Sequence, residues 1–443
     1  MDKEKKVYQE RSTLPFVDLF CGAGGLSVGF EQAGFEATFA NDYDQFACQT
    51  FAYNHPHTHV SGDSVEVLTA KGILEATGHS RIPLVIGGPN CQGVSLRGKR
   101  DPDDPKNMMF SHFKRLIDEL KPDWFVMENV PGLMHKHNLG LATSIFASLE
   151  AIGYKCGGEV LLAADYGVPQ LRNRFVLIGN RVGAPILFPN PTHACPLDIG
   201  SARSLFDTIS FEQDDYEAKK ENWLTVSDGI GDLPPIENGG GEVCTPYPTL
   251  PVRELLDFQR YCRKESAGIH NHICHKTSEH NIRLIQFIQP GGNWKSIPEE
   301  VRPERFKRVA LKDHTTTYGR LRWDMPSRTI TTYFNNVSAG AFTHPDQHRG
   351  ISVREGARLQ SFPDSFRFLG PLAKQYRQIG NAVPCRMAFY VADLLHKMMN
   401  NGPVDSNEVH KAAVEFDRSH NTLRIHRPLQ GMRFNLDKYL VKS

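Results

Sequence analysis

The sequence predicts an α/β fold: a mostly parallel, doubly wound sheet covered by helices, joined to a smaller irregular domain. Three observations carry this. Short apolar runs alternate with amphipathic stretches through the first 180 residues. Glycine, proline and polar residues stop several of those runs abruptly, as "GGPNCQG" stops "IPLVI". Between about 181 and 313 the rhythm fails, and proline and glycine crowd into "GAPILFPNPTHACP" and "DGIGDLPPIENGGGE".

In order along the chain, "FVDLF" (16–20), "EATFA" (36–40), "IPLVI" (82–86), "WFVME" (124–128) and "RFVLIG" (174–179) read as buried strands. Between the third and fourth lies "MMFSHFKRLIDEL", where Phe110, Phe113, Leu116, Ile117 and Leu120 mark one helical face. Strand, helix, strand implies βαβ crossovers, whose active sites gather at the carboxyl ends of the strands. The loops after Phe20, Ala40, Ile86 and Glu128 therefore share one rim. Beyond 313, "RTITTYF" reads as a strand, and "ISVREGARLQSF" and "PCRMAFYVADLLHKMM" as helices. Met387, Tyr390, Val391, Leu394 and Met398 keep helical spacing in the last. The organisation is a tail (1–13), a first domain (14–180), the irregular domain (181–313), a return to the first domain (314–402) and a polar C-terminal tail (403–443).

Composition bounds the function. The 443 residues are 40% hydrophobic and 23% charged, ordinary for a globular protein. No run approaches the roughly 18 apolar residues of a membrane span. "MDKEKKVYQERS" has no apolar segment behind it, so no secretory signal is expected. Nine scattered cysteines point to a reducing, cytoplasmic setting rather than a disulfide framework. With a net charge of +1 there is no global field, and a nucleic-acid partner needs a local basic cleft.

"DLFCGAGGLSVGF" joins a strand to a helix through Gly22, Gly24 and Gly25, where a ligand can approach the backbone. Ser27 stands where G-x-G-x-x-G needs its last glycine, which weakens a pyrophosphate reading; a tight turn without ligand also fits. Asp42 in "NDYD" suits either a ribose or a helix N-cap, and Asp63 in "SGDSVEV" is similar. Cys91 sits on the tight loop after the third strand, in a position to serve as a nucleophile, with Arg172 and Arg174 available to favour a thiolate. Glu128 ends the next strand, which the crossover returns beside Cys91. The crowded "GIHNHICHKTSEH" lacks well-spaced ligand pairs, so no metal is expected.

Taken in order, "DLFCGAGGLSVGFEQAGF", "NDYD", "GGPNCQG", "MENVPGL", "QLRNR", "RTITT" and "GNAVP" resemble the motifs of DNA (cytosine-5) methyltransferases of the stand-alone prokaryotic type. The match covers about 14–180 and 315–400. The resemblance implies the S-adenosylmethionine-dependent methyltransferase fold in the first domain, which would be catalytic and cofactor-binding. The irregular middle would be the target-recognition domain. Asp18, Phe20, Gly22, Gly24, Gly25, Leu26, Asp42, Asp63 and Asn381 would bind S-adenosylmethionine and its product S-adenosylhomocysteine. Asp42 would take the ribose and Asp63 the adenine amino group.

By the same resemblance Cys91 is the nucleophile and Glu128 grips the cytosine ring, while Arg172 and Arg174 face the flipped base and its phosphate. The loop "QGVSLRGKRDPDDPKN" suits a lid in which Gln92, Ser95, Arg97, Lys99 and Arg100 meet DNA. One residue departs from the pattern: Asn90 stands where the family has proline before the nucleophile, which loosens that loop. The expected partner is duplex DNA, with a cognate restriction endonuclease on the same site compatible, no membrane, and a monomeric enzyme. A transfer-RNA methyltransferase and a catalytically silent DNA-binding relative are the alternatives. Against the first stands the sizeable irregular domain, and against the second the retention of Cys91 and Glu128.

Overall fold

A computed structural model describes residues 13–89, 108–196, 220–249, 254–307, 316–400 and 402–427. The expectations placed on Asn90, Cys91, Gln92, Ser95, Arg97, Lys99 and Arg100 lie outside the described residues.

The large domain is built on one sheet. Its strands are β1 (Leu14–Leu19), β2 (Phe35–Asn41), β3 (His59–Ser61), β4 (Leu84–Gly87), β5 (Trp124–Asn129), β6 (Lys155–Leu162), β7 (Asn173–Asn180), β8 (Val414–Asp417) and β9 (Thr422–Ile425). They lie in the order β9-β8-β6-β7-β5-β4-β1-β2-β3. β1 to β5 run parallel, and β7 is antiparallel to both its neighbours. Both faces are covered, which is why the strands read as nearly continuous apolar runs. Val17, Leu19, Val85, Phe125 and Met127 enter one core, and Phe16, Leu84, Ile86, Trp124 and Val126 enter the other.

The helices of this domain are α1 (Gly25–Gln32), α2 (Gln45–Asn54), α3 (Ala70–Thr77), α4 (Met108–Leu120) and α5 (Leu139–Ala151). All five apolar residues of the anticipated stripe on α4 are buried in the first core. Further along the chain come α6 (Val353–Leu359), α7 (Leu372–Asn381) and α8 (Cys385–Met399). α8 returns to the second core and packs on α1.

Two expectations are corrected. "RTITTYF" is not a strand beyond the two-residue Ser327–Arg328. Side chains take the backbone groups that a ladder would use: Gln170 accepts from the Ile330 N–H, and Arg172 donates to the Ile330 carbonyl. The polar C-terminal tail is, over 414–425, a hairpin that extends the sheet. β8 pairs antiparallel with β6, and the Ala413 N–H donates to the buried Glu159 carboxylate. Its strands hold four residues each, too short for alternation to show.

The smaller unit is held by packing that ignores the boundary anticipated at 313. Val226 and Ile230 share one core with Ile330, Phe334, Ile351 and Phe362, and Ala23 and Val28 of the large domain join it. Buried ion pairs fix α6. Arg349 grips Glu355 through two bonds of 2.7 Å, and Arg358 grips Asp364 at 2.9 and 2.7 Å. Two-point guanidinium–carboxylate contacts combine charge with a fixed orientation.

Candidate active site

Side chains and backbone lace the carboxyl ends of the parallel strands together. At the end of β1 the chain turns through Phe20, at φ 62°, into the glycines that open α1. The Gly22 N–H donates to Asp42 Oδ2 at 2.9 Å, and the Cys21 N–H to the Asn41 carbonyl at 2.9 Å. Asn41 in turn donates its side-chain amide to the carbonyls of Ser61 and Asp63, at 3.1 and 2.8 Å. Four strand ends thus form one surface, since the Gly88 N–H also reaches the Leu19 carbonyl.

Asp42 is not the cap of α2. That role falls to Asp44, whose carboxylate accepts from the Phe46 N–H, while Asp42 holds the glycine turn and accepts from the Asp44 N–H. Burial raises the Asp42 pKa, although the backbone N–H groups of Asp44, Gly22 and Tyr43 oppose the shift. Next to it Tyr43 is 82% exposed, a large ring at the rim that no periodicity announced. Asp63 is exposed and accepts from Ser61 Oγ at 2.9 Å.

Asp18 lies beneath the turn, 1% exposed, and burial pushes its carboxyl up to about 8. Ser27 meets it at 2.6 Å. The residue that spoils the dinucleotide fingerprint is therefore the partner of a buried acid. Gly25 and Leu26, expected along a cofactor, are closely packed: a Cβ on Gly25 would meet the Val383 carbonyl at 2.5 Å, and Leu26 is 8% exposed. Asn381 ends α7 and is exposed, and the Ala382 and Val383 that follow it lie against Gly25.

On the β5 side, Arg174 Nε donates to Glu128 Oε1 at 2.5 Å, with both side chains largely buried. Burial lowers the Arg174 pKa and Glu128 opposes that shift. A Cβ on Gly88 would sit 3.2 Å from Glu128 Oε2, and Asn129 Nδ2 donates to the Pro89 carbonyl at 3.1 Å. The two residues leading toward Cys91 are thus fastened beside Glu128.

Arg172 departs from expectation. It is 1% exposed, and its guanidinium donates to the carbonyls of Ile330 at 2.6 Å and Gly380 at 2.9 Å. It ties "QLRNR" to "RTITT" and "GNAVP" rather than reaching the Glu128 carboxylate, and burial holds its pKa well below the usual arginine range. Arg172 Nε, Asn173 Oδ1 and Thr331 Oγ1 are buried without hydrogen-bond partners among the described residues. In the histidine-rich stretch, His272 bonds Ser352 Oγ and the Pro234 carbonyl.

The model of the C-5 cytosine-specific DNA methylases matches residues 14–397. The chain belongs to this family. It is 34% identical over 421 residues to the Type II methyltransferase M.AgeI of Thalassovita gelatinovora, covering 83% of this chain and 96% of that one. It is also 34% identical to M1.HphI of Haemophilus parahaemolyticus, with 88% of each chain covered. Among solved structures, a DNA modification methyltransferase encoded within an E. coli prophage superposes with a TM-score of 0.64 at 26% identity, covering 88% of this chain and 100% of that one. The methylase is therefore a DNA (cytosine-5) methyltransferase, an enzyme of a family that uses S-adenosylmethionine. The glycine turn fits that cofactor. Open space lies where a Cβ on Gly22 would point, carboxyl groups close the ends of β1 and β2, and a broad aromatic ring stands beside Asp42. No helix among the described residues is long and apolar enough to cross a membrane.

Proposed function

We propose that the methylase acts on a specific duplex DNA sequence, on a cytosine turned out of the stack, through a covalent adduct between Cys91 and ring carbon C6. The observation that supports this best is the Glu128–Arg174 pair at the end of β5, with Gly88 and Pro89 fastened against it. Cytosine C5 is a poor nucleophile until the ring loses aromaticity. Thiolate addition at C6 sends an electron pair toward N3 and makes C5 enamine-like. Glu128, carrying a proton that it shares with N3, neutralises the charge there, and Arg174 holds the side chain in place. The glycine turn, Asp42, Asp63 and Tyr43 would hold S-adenosylmethionine, whose electrophilic methyl group C5 would take, with S-adenosylhomocysteine as the leaving group. Loss of the C5 proton to a base then expels the Cys91 thiolate. A stacked base cannot meet these groups, so the nucleotide must be flipped. Arg172 supports the pocket from behind, and a cytoplasmic monomer with a cognate endonuclease on the same site is compatible with its Type II relatives.

Trapping and sequencing test the proposal. A 5-fluorocytosine duplex should form a stable adduct with the wild type, because the C5 proton that must leave has been replaced. Cys91→Ser should form none and should lower methyl transfer by at least about a thousandfold. Bisulfite sequencing of host DNA after expression should show methylation confined to one short sequence. Transfer to tRNA in preference to duplex DNA, or full activity in the serine variant, overturns the reading.

A further inference from the structure

Beneath the glycine turn lies a side chain to which the methyl-transfer chemistry gives no task. His55 directly follows α2, with its side chain 1% exposed, and its Nδ1–H donates to the Glu31 carboxylate at 2.8 Å. A carboxylate only accepts, so this bond places a proton on Nδ1, and in the neutral ring Nε2 is then a bare acceptor. Nε2 is buried and has no hydrogen-bond partner among the described residues. It faces Gly24: a Cβ built there would lie 2.7 Å from Nε2. Gly24 caps α1 in the left-handed conformation, φ 101° and ψ 18°.

Packing alone does not account for a histidine here. The ring lies between Phe51, at 4.2 Å between centroids, and Phe366, at 6.1 Å. Phenylalanine would fill that space without burying an unsatisfied nitrogen, and orphaned buried acceptors are uncommon enough to call for a reason. The geometry offers one. A lone pair accepts a weak contact from the Gly24 Cα–H, whereas a protonated Nε2 would push its hydrogen against that carbon. Glu31 sets the tautomer, His55 seats Gly24, and Gly24 aims the Gly22–Gly24 turn and the start of α1 at the rim.

We propose that His55 is a positioning residue for the cofactor turn, acting through Gly24 and set by Glu31. This rests on the reading of that turn as the S-adenosylmethionine site. The test combines calorimetric binding of S-adenosylmethionine and S-adenosylhomocysteine with steady-state kinetics at pH 8. His55→Phe, which keeps the packing, should raise KM for S-adenosylmethionine by at least about tenfold with kcat at saturation within about threefold. His55→Gln, whose amide oxygen can replace the Nε2 lone pair, should keep KM within about threefold of wild type. A folded His55→Phe enzyme with wild-type KM overturns the proposal, and so does a glutamine variant as impaired as the phenylalanine one. Should His55→Phe not fold, nitrogen-15 spectra of the histidine-labelled wild type decide. A proton on Nδ1, with an Nε2 resonance that moves on saturation with S-adenosylhomocysteine, supports it. A proton on Nε2, or an Nε2 resonance that stays put, overturns it. A wild-type enzyme that binds neither ligand refutes the cofactor site itself, a result distinct from any failure of His55.

Discussion

Two residues at the rim show how little of a side chain's task follows from its type. Arg174 and Arg172 are one residue apart, yet one meets Glu128 and the other spans two carbonyls behind the pocket. A lysine at 174 keeps the charge but loses the directed Nε–H. Arg174→Lys should lower the single-turnover rate by about a hundredfold with cofactor binding unchanged. Asp18 carries a separate prediction. Its folded pKa, about 8, lies above the 3.8 of an exposed aspartate, so the fold holds a proton that the unfolded chain releases. The stability that this proton contributes is complete below about pH 4 and is lost as the pH rises toward 8. Asparagine cannot ionise, so the melting temperature of Asp18→Asn should gain on the wild type steadily from pH 5 to pH 8. A constant difference across that range would contradict the assignment. The sequence marked Asp18 by its motif, but its burial and the hydroxyl that meets it come from the folded packing alone.

At the scale of elements, α1 and α8 approach so closely that side chains must be missing. A Cβ on Gly29 would meet Ala388 Cβ at 2.5 Å and the Cys385 carbonyl at 2.6 Å. In a free helix Gly29→Ala would stabilise by about 1 kcal/mol. Here the added methyl group must force α1 away from α8 and should destabilise by about 2 kcal/mol, read as a lower urea midpoint with unchanged slope. The same contrast explains which elements the sequence disclosed. β1, β2, β4, β5 and β7 are buried on both faces, and α4 on one, so their apolar patterns are complete. β6, "KCGGEVLL", hides because Gly157 and Gly158 make room for Ile186 and Phe175. α6 was legible as a helix, but the full burial of its Arg354, Glu355 and Arg358 was not, since charged residues ordinarily mark a solvated face. Glu128 was legible because a strand end fixes its place. The inward turn of Arg172 was not, since the carbonyls that receive it lie some 160 and 210 residues away in sequence.

For the whole molecule these buried ionisable groups set a window of pH. His344, held down to about 4 by burial, must stay neutral in the fold, so stability falls as the pH drops from 6.5 toward 4. Glu355, which Arg349 holds below the usual carboxylate range against the effect of burial, adds its loss at lower pH still. Asp18 erodes stability from the alkaline side, so the maximum lies between. On acidification the smaller unit should open first, with near-UV signals from Trp294 and its neighbours lost ahead of those from Trp124 in the sheet. Simultaneous loss would show one cooperative block. The contact between α1 and α8 also bears on how the protein is made. α1 leaves the ribosome some 350 residues before α8, a wait of tens of seconds at cellular elongation rates. Through that interval the nascent chain shows Phe30 and the Gly29 groove uncovered, a natural station for a chaperone. The edge of β6 waits longer still, until 414–417 has been made. No ribosome-bound fragment ending before α8 can close the cofactor side of the domain. Methyl transfer therefore begins only after α8 has been made, and a message terminated before it yields no partly active enzyme.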